Sequence, residues 1–578
     1  MYFLALAVDF DGTIAEHGYV TPATVSALER LRQTGRKLLL VTGRELNDLQ
    51  HAFTQLEIFD VVIAENGALL FEPGTQEETR LAPPPPIELV QMLADRKVTP
   101  ISVGRSIIAT WRPHETAVMN AIEELGLEMQ IIFNKGAVMV LPANVNKASG
   151  LRHALATLGI SPLNTVGAGD AENDHAFLAC CGCSAAVANA VPSLKKEADL
   201  VLSKDHGDGI AELVEKLIRD DRLLLPLTKR AILAGVSLEG EEIYIEPSDI
   251  ILIIGNSGCG KSSYITLLTE RMAERGFEFC VVDPEGDYLG LDHAVTIGGL
   301  ADPPATEEAL RLLLQANIDV VVNTLALNHD DRRHMFMDLV PAVKKLQRSS
   351  GRPHWFVVDE AHQFLPPHDP GNRAAPRLAA GAILVTVDPA RLAPAALAEA
   401  STVIAMGSSA GRLLQDLADI LKIPGPAHAP QTQGTDFLLW SPRTNRPPLV
   451  LKQEKPQQAH HRHRGKYATG DVGEWRSFYF RGPQLDINYQ ASNLAEFFLH
   501  QSDEVDDEIW LHHLRSGDYS AWFRHVIRDD ILAADAAQIE RNESLSPLES
   551  RKRIRQPVTA RYVIPAVYNG SASLPTAS

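Results

Sequence analysis

The chain has 578 residues, 45% of them hydrophobic and 22% charged, and carries a net charge of −19. That length exceeds one hydrophobic core and predicts about three to four domains of ordinary soluble composition. No apolar run reaches the ~20 residues of a membrane helix. The acidic balance argues against a surface that attracts nucleic acid everywhere, while leaving room for a local basic channel.

The opening MYFLALAV has no basic flank and runs into Asp9, so it reads as a buried strand and not as a signal peptide. Five cysteines without a framework spacing predict reduced thiols, and cytoplasm is the expected compartment. Residues 1–222 alternate strand-like apolar runs with amphipathic stretches, the pattern of a doubly wound α/β domain. Thr21-Pro22 predicts a helix start, with Val25, Leu28 and Leu31 on one face and Gly35 at the end. The run from Leu38 to Val41 is then a fully buried strand. Pro83 to Pro86 marks a hinge-like break. The helix, strand, helix and strands that follow predict a small α+β cap over 74–142, inserted in the first domain.

Asp9-Phe10-Asp11-Gly12-Thr13 closes the first strand. Carboxylates at the C-terminal end of a parallel strand project into the crevice where such folds bind ligands, and two so close together call for a neutralising cation. Thr42-Gly43-Arg44 follows the second strand and offers a hydroxyl and a backbone N–H. Lys147 precedes a helical stretch and is available for the nucleophile and for phosphate charge. Gly169-Asp170-Ala171-Glu172-Asn173-Asp174 adds carboxylates after another apolar strand. Hard oxygen ligands point to Mg²⁺.

Together these residues resemble the four motifs of the haloacid dehalogenase (HAD) superfamily, in the Cof-like branch that includes sugar phosphatases. The flanking segments Glu65-Asn66-Gly67-Ala68 and Val187-Ala188-Asn189-Ala190 resemble that branch too. The resemblance implies a two-step phosphoryl transfer. Asp9 attacks phosphorus, and Asp11 protonates the leaving oxygen and then activates water. Thr42 and Lys147 hold the phosphoryl oxygens, with Gly12, Gly43 and Asn173 beside them. Asp9, the backbone carbonyl of Asp11, and Asp170 bind Mg²⁺, supported by Asp174. The implied substrate is a small organic phosphate, of the sugar phosphate or phosphoglycolate type. Arg105, Trp111, Arg112, His114, Asn134 and Lys135 are the cap residues available to choose it.

A second α/β block spans 223–452. Its first buried strand leads into Gly255-Asn256-Ser257-Gly258-Cys259-Gly260-Lys261-Ser262, and Ser263 continues into a helix. Such a loop cradles nucleotide phosphates on backbone N–H groups, with Lys261 adding charge and Ser262 reaching Mg²⁺. The apolar strand ending in Asp359-Glu360 reads as a Walker B element, in which Asp359 steadies Mg²⁺ and Glu360 polarises the attacking water. ATP is therefore expected as a second ligand. With Cys280-Val281-Val282-Asp283-Pro284-Glu285-Gly286-Asp287-Tyr288, residues 240–410 resemble the HerA/FtsK branch of P-loop ATPases. That resemblance implies a homo-oligomer, a hexameric ring, with an arginine donated from a neighbour. Arg373, Arg391 and Arg412 are the candidates. It also opens an alternative in which a nucleic-acid motor carries a HAD domain that removes terminal phosphates. One departure stands out: Val385-Thr386-Val387-Asp388-Pro389 replaces the usual Thr-Gln-Arg sensor run.

Residues 453–470 read as a linker, and His460-His461-Arg462-His463-Arg464 within it has no acidic or cysteine partner to complete a metal site. Residues 471–540 predict a small helical region with Trp510, Leu514, Trp522, Phe523 and Val526 as its apolar set, and 541–578 a flexible tail. The expected fold is thus an α/β HAD domain with a small cap, a P-loop α/β domain and a helical C-terminal region.

Overall fold

The computed structural model describes residues 2–561 apart from 135, 226, 292, 300–301, 369–373, 427–428, 433–434, 445, 458–476, 482–486, 504, 528 and 543. Lys135, Arg373, the 460–464 run and everything beyond 561 lie outside the described residues, as does the side chain of Asn134. Among the described residues no helix is long and apolar enough to cross a membrane.

The first domain is built on β1 (Ala5–Asp9), β2 (Lys37–Val41), β3 (Val61–Ala64), β4 (Leu69–Glu72) and β5 (Glu77–Arg80). The cap follows with β6 (Ser102–Val103), β7 (Ile108–Trp111), β8 (Met129–Asn134) and β9 (Ala137–Pro142). The chain then returns through β10 (Thr165–Gly169), β11 (Cys183–Ala186) and β12 (Leu200–Val201). The main sheet has the order β12-β11-β10-β1-β2-β3-β4-β5. Strands β1 and β10 are buried at every residue, as expected where helices cover both faces of a parallel sheet. The helix Pro22–Gln33 starts where the Thr21 side chain accepts from the Thr24 N–H, and buries Val25, Leu28 and Leu31.

Strand β5 corrects the expected cap boundary. The chain turns back at 73–76, where Gln76 adopts a left-handed φ of 61° and donates to the Glu72 carbonyl, and β5 pairs with β4 in the main sheet. The cap proper is the four-stranded antiparallel sheet β6-β7-β9-β8 with helices Ile87–Asp95 and Glu115–Glu124. Leu89, Leu93, Ile108, Val118 and Val140 form its separate small core.

The second domain contains β13 (Ile232–Ser237), β14 (Glu242–Ile245), β15 (Ile251–Gly255), β16 (Phe279–Asp283), β17 (Ala294–Ile297) and β18 (Asp319–Asn323). It continues with β19 (Trp355–Val358), β20 (Ala382–Thr386), β21 (Thr402–Met406), β22 (Phe437–Trp440) and β23 (Leu449–Lys452). These make one eleven-stranded sheet in the order β14-β13-β23-β22-β21-β15-β20-β19-β16-β18-β17. Strand β20 therefore separates the phosphate-loop strand β15 from the Walker B strand β19.

The C-terminal region is not all helical. It opens with an antiparallel hairpin of β24 (Phe478–Arg481) and β25 (Ile487–Ala491). Nor is the stretch after 540 all tail, because Pro547–Arg561 is a helix whose Ile554 and Val558 join Trp510, Leu514, Trp522 and Phe523 in one core. Two apolar residues four apart on a strongly charged helix are a weak sequence signal, which is why that helix escapes a reading by composition. His513 belongs to this core: its Nε2 accepts from the Arg481 N–H at 2.9 Å and its Nδ1 lies 2.7 Å from Asp518.

A buried polar seam joins the two large domains. Asn164, just before β10, donates to the Tyr2 carbonyl at 2.7 Å, and its Oδ1 lies 3.1 Å from His354 Nε2. His354 precedes β19, and its Nδ1 accepts from the Glu278 N–H at 3.0 Å, so Nε2–H is the donor across the seam. The Ser161 N–H donates to the Ser350 carbonyl at 3.1 Å. Gly351, with φ of 81°, lets Asn164 approach so closely that a Cβ would lie 2.0 Å from its Oδ1. Burial, and then the charge of Arg352, push His354 down to about 3, so it is neutral in the seam.

Candidate functional site

Strand β1 lies between β2 and β10, so the strand ends bring Asp9, Thr42 and Asp170 side by side. Lys147 is the first residue of the helix Lys147–Leu158, whose start is fixed by a capping box between Asn146 and Ser149. The helix docks closely on the turn 65–68: a Cβ on Gly67 (φ 98°) would lie 2.0 Å from the Asn146 carbonyl. Lys147 is thereby carried into the site, where its Nζ donates to Asp9 at 2.6 Å and to Asp174 at 2.7 Å. Asp174 is fully buried, and its other oxygen accepts from the Asp170 and Ala171 N–H groups at 2.9 Å each.

Asp9, Asp170 and Asp174 each offer an oxygen within 4.8 Å of the others. Burial, and then the charge of Asp174, push Asp9 well above the usual carboxylate range. Burial alone would lower the Lys147 ammonium, but Asp174 and then Asp9 outweigh it and hold it above its ordinary value. Three buried carboxylates with one ammonium among them leave an excess of negative charge, and a hard divalent cation fits that excess and that donor set.

Asp11 faces the cleft between core and cap, where Arg44 forks onto it with Nε and Nη2 at 2.7 Å each. Arg44 also donates to Asp48 at 2.8 Å. Thr42 is buried, and its hydroxyl accepts from the Arg44 N–H at 3.1 Å. Gly12 (φ 92°) makes the turn after Asp11, and its carbonyl accepts from Asn189 at 2.7 Å and His206 Nδ1 at 2.8 Å. Asn173 lies beside Asp174, and both of its side-chain polar atoms are buried without a hydrogen-bond partner. Sequence reading singled out none of Arg44, His206 or Glu65 for a role. Glu65 ties cap to core, its carboxylate accepting from the Arg105 and Ser106 N–H groups at 2.8 Å each.

Of the cap candidates, only Trp111 lines the cleft among the described residues. Arg105 turns to Glu78, Arg112 lies over the Phe133 ring, and His114 Nε2 bonds to the Thr99 carbonyl.

In the second domain the loop after β15 turns through left-handed Gly258 and Gly260 and opens the helix Lys261–Glu274. Lys261 folds back on its own loop, donating to the carbonyls of Gly255 at 2.7 Å and Asn256 at 3.2 Å. Ser262 donates to Asp287 at 3.3 Å, and Cys259 lies half-buried against Gly255 and Gly407. Asn256, Ser257 and Ser263 complete the loop and the first helical turn. Asp359 and Glu360 follow β19, both buried, with Glu360 in a left-handed conformation. Burial, and then Glu360 and Asp287, push Asp359 well above its ordinary value. The segment that departs from the sensor run also has a place here. Thr386 ends β20, its hydroxyl 3.3 Å from His362 Nδ1, which in turn lies 3.3 Å from Glu360 Oε2. Arg412 is exposed and pairs with Asp416.

The chain matches the haloacid dehalogenase-like hydrolase family over residues 6–104 and 120–214, and the central domain of helicase HerA over 240–372. A phosphoglycolate phosphatase of Methanothermobacter thermautotrophicus is 30% identical over 227 residues, which is 37% of this chain and 98% of that protein. One of Methanopyrus kandleri is 30% identical over 225 residues, 37% of this chain and 96% of the relative. A haloacid dehalogenase-like hydrolase from Bacteroides thetaiotaomicron aligns in structure with a TM-score of 0.33 and 18% identity, over 37% of this chain and 99% of that one. The two phosphatases are matched over nearly their whole length, and the chain belongs to the haloacid dehalogenase-like hydrolase family, with a HerA-type P-loop domain fused behind the hydrolase.

Proposed function

We propose that the first domain is a Mg²⁺-dependent phosphomonoesterase acting on a small organic phosphate through an aspartyl-phosphate on Asp9. The observation that carries this is the buried Asp9–Lys147–Asp174 array with Asp170 beside it and Asp11 two residues along. Asp9, the Asp11 carbonyl and Asp170 would hold Mg²⁺, with Asp174 behind them. The ion would supply electrostatic stabilisation of the charge on the transferring phosphoryl group. Asp9 attacks phosphorus while the ester P–O bond breaks, and the leaving oxygen takes a proton from Asp11. Asp11, now a carboxylate, accepts a proton from the water that splits the aspartyl-phosphate, which releases phosphate and restores Asp9. Lys147 and Thr42 hold phosphoryl oxygens, and the Asn173 amide has its hydrogen-bonding capacity free for the same task. The Arg44 fork orients Asp11 toward the cleft.

The second domain, in the same proposal, binds and hydrolyses ATP. Lys261 exchanges its loop carbonyls for the β- and γ-phosphates, Ser262 and Asp359 hold Mg²⁺, and Glu360 orients water. Phosphate release from a panel of monoesters, with and without EDTA, together with ATP binding by calorimetry, tests both halves. No Mg²⁺-dependent release from any ester would remove the first, and no ATP binding at millimolar nucleotide the second.

The match to a helicase domain favours a second reading, a ring-shaped nucleic-acid motor bearing the esterase. Stimulation of ATP hydrolysis by DNA, and a hexamer in mass photometry with ATP, would support it. A monomer with DNA-independent hydrolysis would count against it.

A further inference from the structure

The cleft between core and cap encloses about 580 Å³, and its two walls differ sharply. On the core side stand Asp9, Asp11, Glu45, Asp48 and Arg44. Arg44, the one cation among the described lining residues, spends Nε and Nη2 on Asp11 and Nη1 on Asp48. The cap side is mostly apolar, with the Ser102 and Thr110 hydroxyls as its polar side chains and Trp111, 53% exposed, at its end. The Thr110 hydroxyl already donates to the Pro100 carbonyl at 2.6 Å. The Trp111 ring lies next to the turn at Gly136, where an added Cβ would come within 3.8 Å of it. Arg105, Arg112 and His114 of the cap are engaged elsewhere, Arg105 with Glu78, Arg112 over Phe133 and His114 with the Thr99 carbonyl.

Resting on the phosphatase reading above, we propose that the leaving group is an uncharged, ring-bearing alcohol that lies against Trp111, and that this side chain sets the specificity. A leaving group that carries a carboxylate, as glycolate does, meets acidic side chains on one wall and an apolar surface on the other. An ionised carboxylate desolvated without a partner is strongly disfavoured, and the one guanidinium among the described lining residues is committed to Asp11 and Asp48. A cleft of this volume also far exceeds a two-carbon acid and matches the size that encloses a ring-sized ligand. A flat aromatic side chain offers such a ring a large apolar face at small conformational cost. The ring face binds through Trp111, the hydroxyl of Ser102 serves its polar edge, and the phosphate sits at Asp9.

The test compares kcat/KM for glucose 6-phosphate, phenyl phosphate, ethyl phosphate and 2-phosphoglycolate in the full-length protein with Mg²⁺. The ring esters are expected to exceed 2-phosphoglycolate by at least about tenfold. Trp111→Ala should cost the ring esters about tenfold, mainly through KM, leave ethyl phosphate unchanged, and be rescued by Trp111→Phe. Turnover of 2-phosphoglycolate equal to or better than the ring esters would overturn the proposal while leaving the esterase intact. An equal loss on all four esters in Trp111→Ala would overturn the role of that residue. Release from none of the four would instead remove the phosphatase reading itself, together with this deduction from it.

Discussion

The two sites use a lysine in opposite ways. In the hydrolase domain Lys147 reaches across the fold to Asp9, 138 residues away, and to Asp174. In the P-loop domain Lys261 bonds to the carbonyl of Gly255, only six residues back along its own loop. The first contact forms only when β1, β10 and the helix Lys147–Leu158 have packed, so its geometry depends on the whole domain. The second needs little beyond one strand, one loop and one helix. An array assembled from distant segments is rigid because every supporting element is packed, whereas a lysine held by loop carbonyls can exchange them for phosphate oxygens at little cost. The seam places both sites at the far ends of strands whose near ends meet: β10 and β19 start at the Asn164–His354 bond and end before Asp170 and Asp359. Each reactive end is thus a strand's length, about 15 Å, from the seam.

The sharpest way to break this comparison is to disable one site and watch the other. Asp9→Asn keeps shape but removes the attacking charge, so ester hydrolysis should fall by roughly 10³-fold or more, while ATP affinity by calorimetry stays within about twofold. A variant that still releases phosphate at the wild-type rate would refute Asp9 as the nucleophile. Glu360→Gln should retain nucleotide and slow ATP hydrolysis by about 10²-fold, with ester turnover unaffected. Thr386→Val removes the hydroxyl next to His362 and should lower ATP hydrolysis by about tenfold without changing nucleotide affinity, whereas Thr386→Ser should restore it. Equal rates in Thr386→Val and wild type would deny the Thr386–His362–Glu360 arrangement any part in hydrolysis.

Smaller effects are expected at the seam. Asn164→Leu leaves His354 Nε2–H and the Tyr2 carbonyl without their partner, at about 1–3 kcal/mol for each buried group. Calorimetry should show lower melting of the folded protein, with both activities retained at low temperature. His354 supplies a pH signature. Its value in the fold is about 3 against 6.5 for the free side chain, so the unfolded chain binds the proton first as acid is added. The stability contributed by neutral His354 is complete above pH 6.5 and declines as the pH falls toward 3, by up to about 1.4 kcal/mol per pH unit. The margin of wild type over His354→Gln should shrink across that window, and a constant margin would place the proton elsewhere.

Much of the molecule was legible from the chain alone where the information is local. The phosphate loop is contiguous, and its glycines and Lys261 declare themselves by spacing. The Asp9-Phe10-Asp11 and Asp170 to Asp174 segments each end an apolar strand, and helix starts such as Thr21-Pro22 carry their own caps. These features determined the two α/β domains and the residues offered at their strand ends, because strand and helix periodicity and capping act over a few residues. Only the tertiary structure decided which of those residues meet. The order of β12-β11-β10-β1-β2 puts Asp170 beside Asp9, Arg44 is brought onto Asp11, and Thr386 of β20 reaches His362. Arg105, Arg112 and His114 have the composition of a phosphate-binding cap, yet packing turns all three away from the cleft. The helix Pro547–Arg561 likewise hides its Ile554 and Val558 among charges until a core is there to receive them. Residue type and local periodicity do not specify which way a side chain points once its element is packed, and in this protein that direction separates a residue that can touch substrate from one that holds the scaffold.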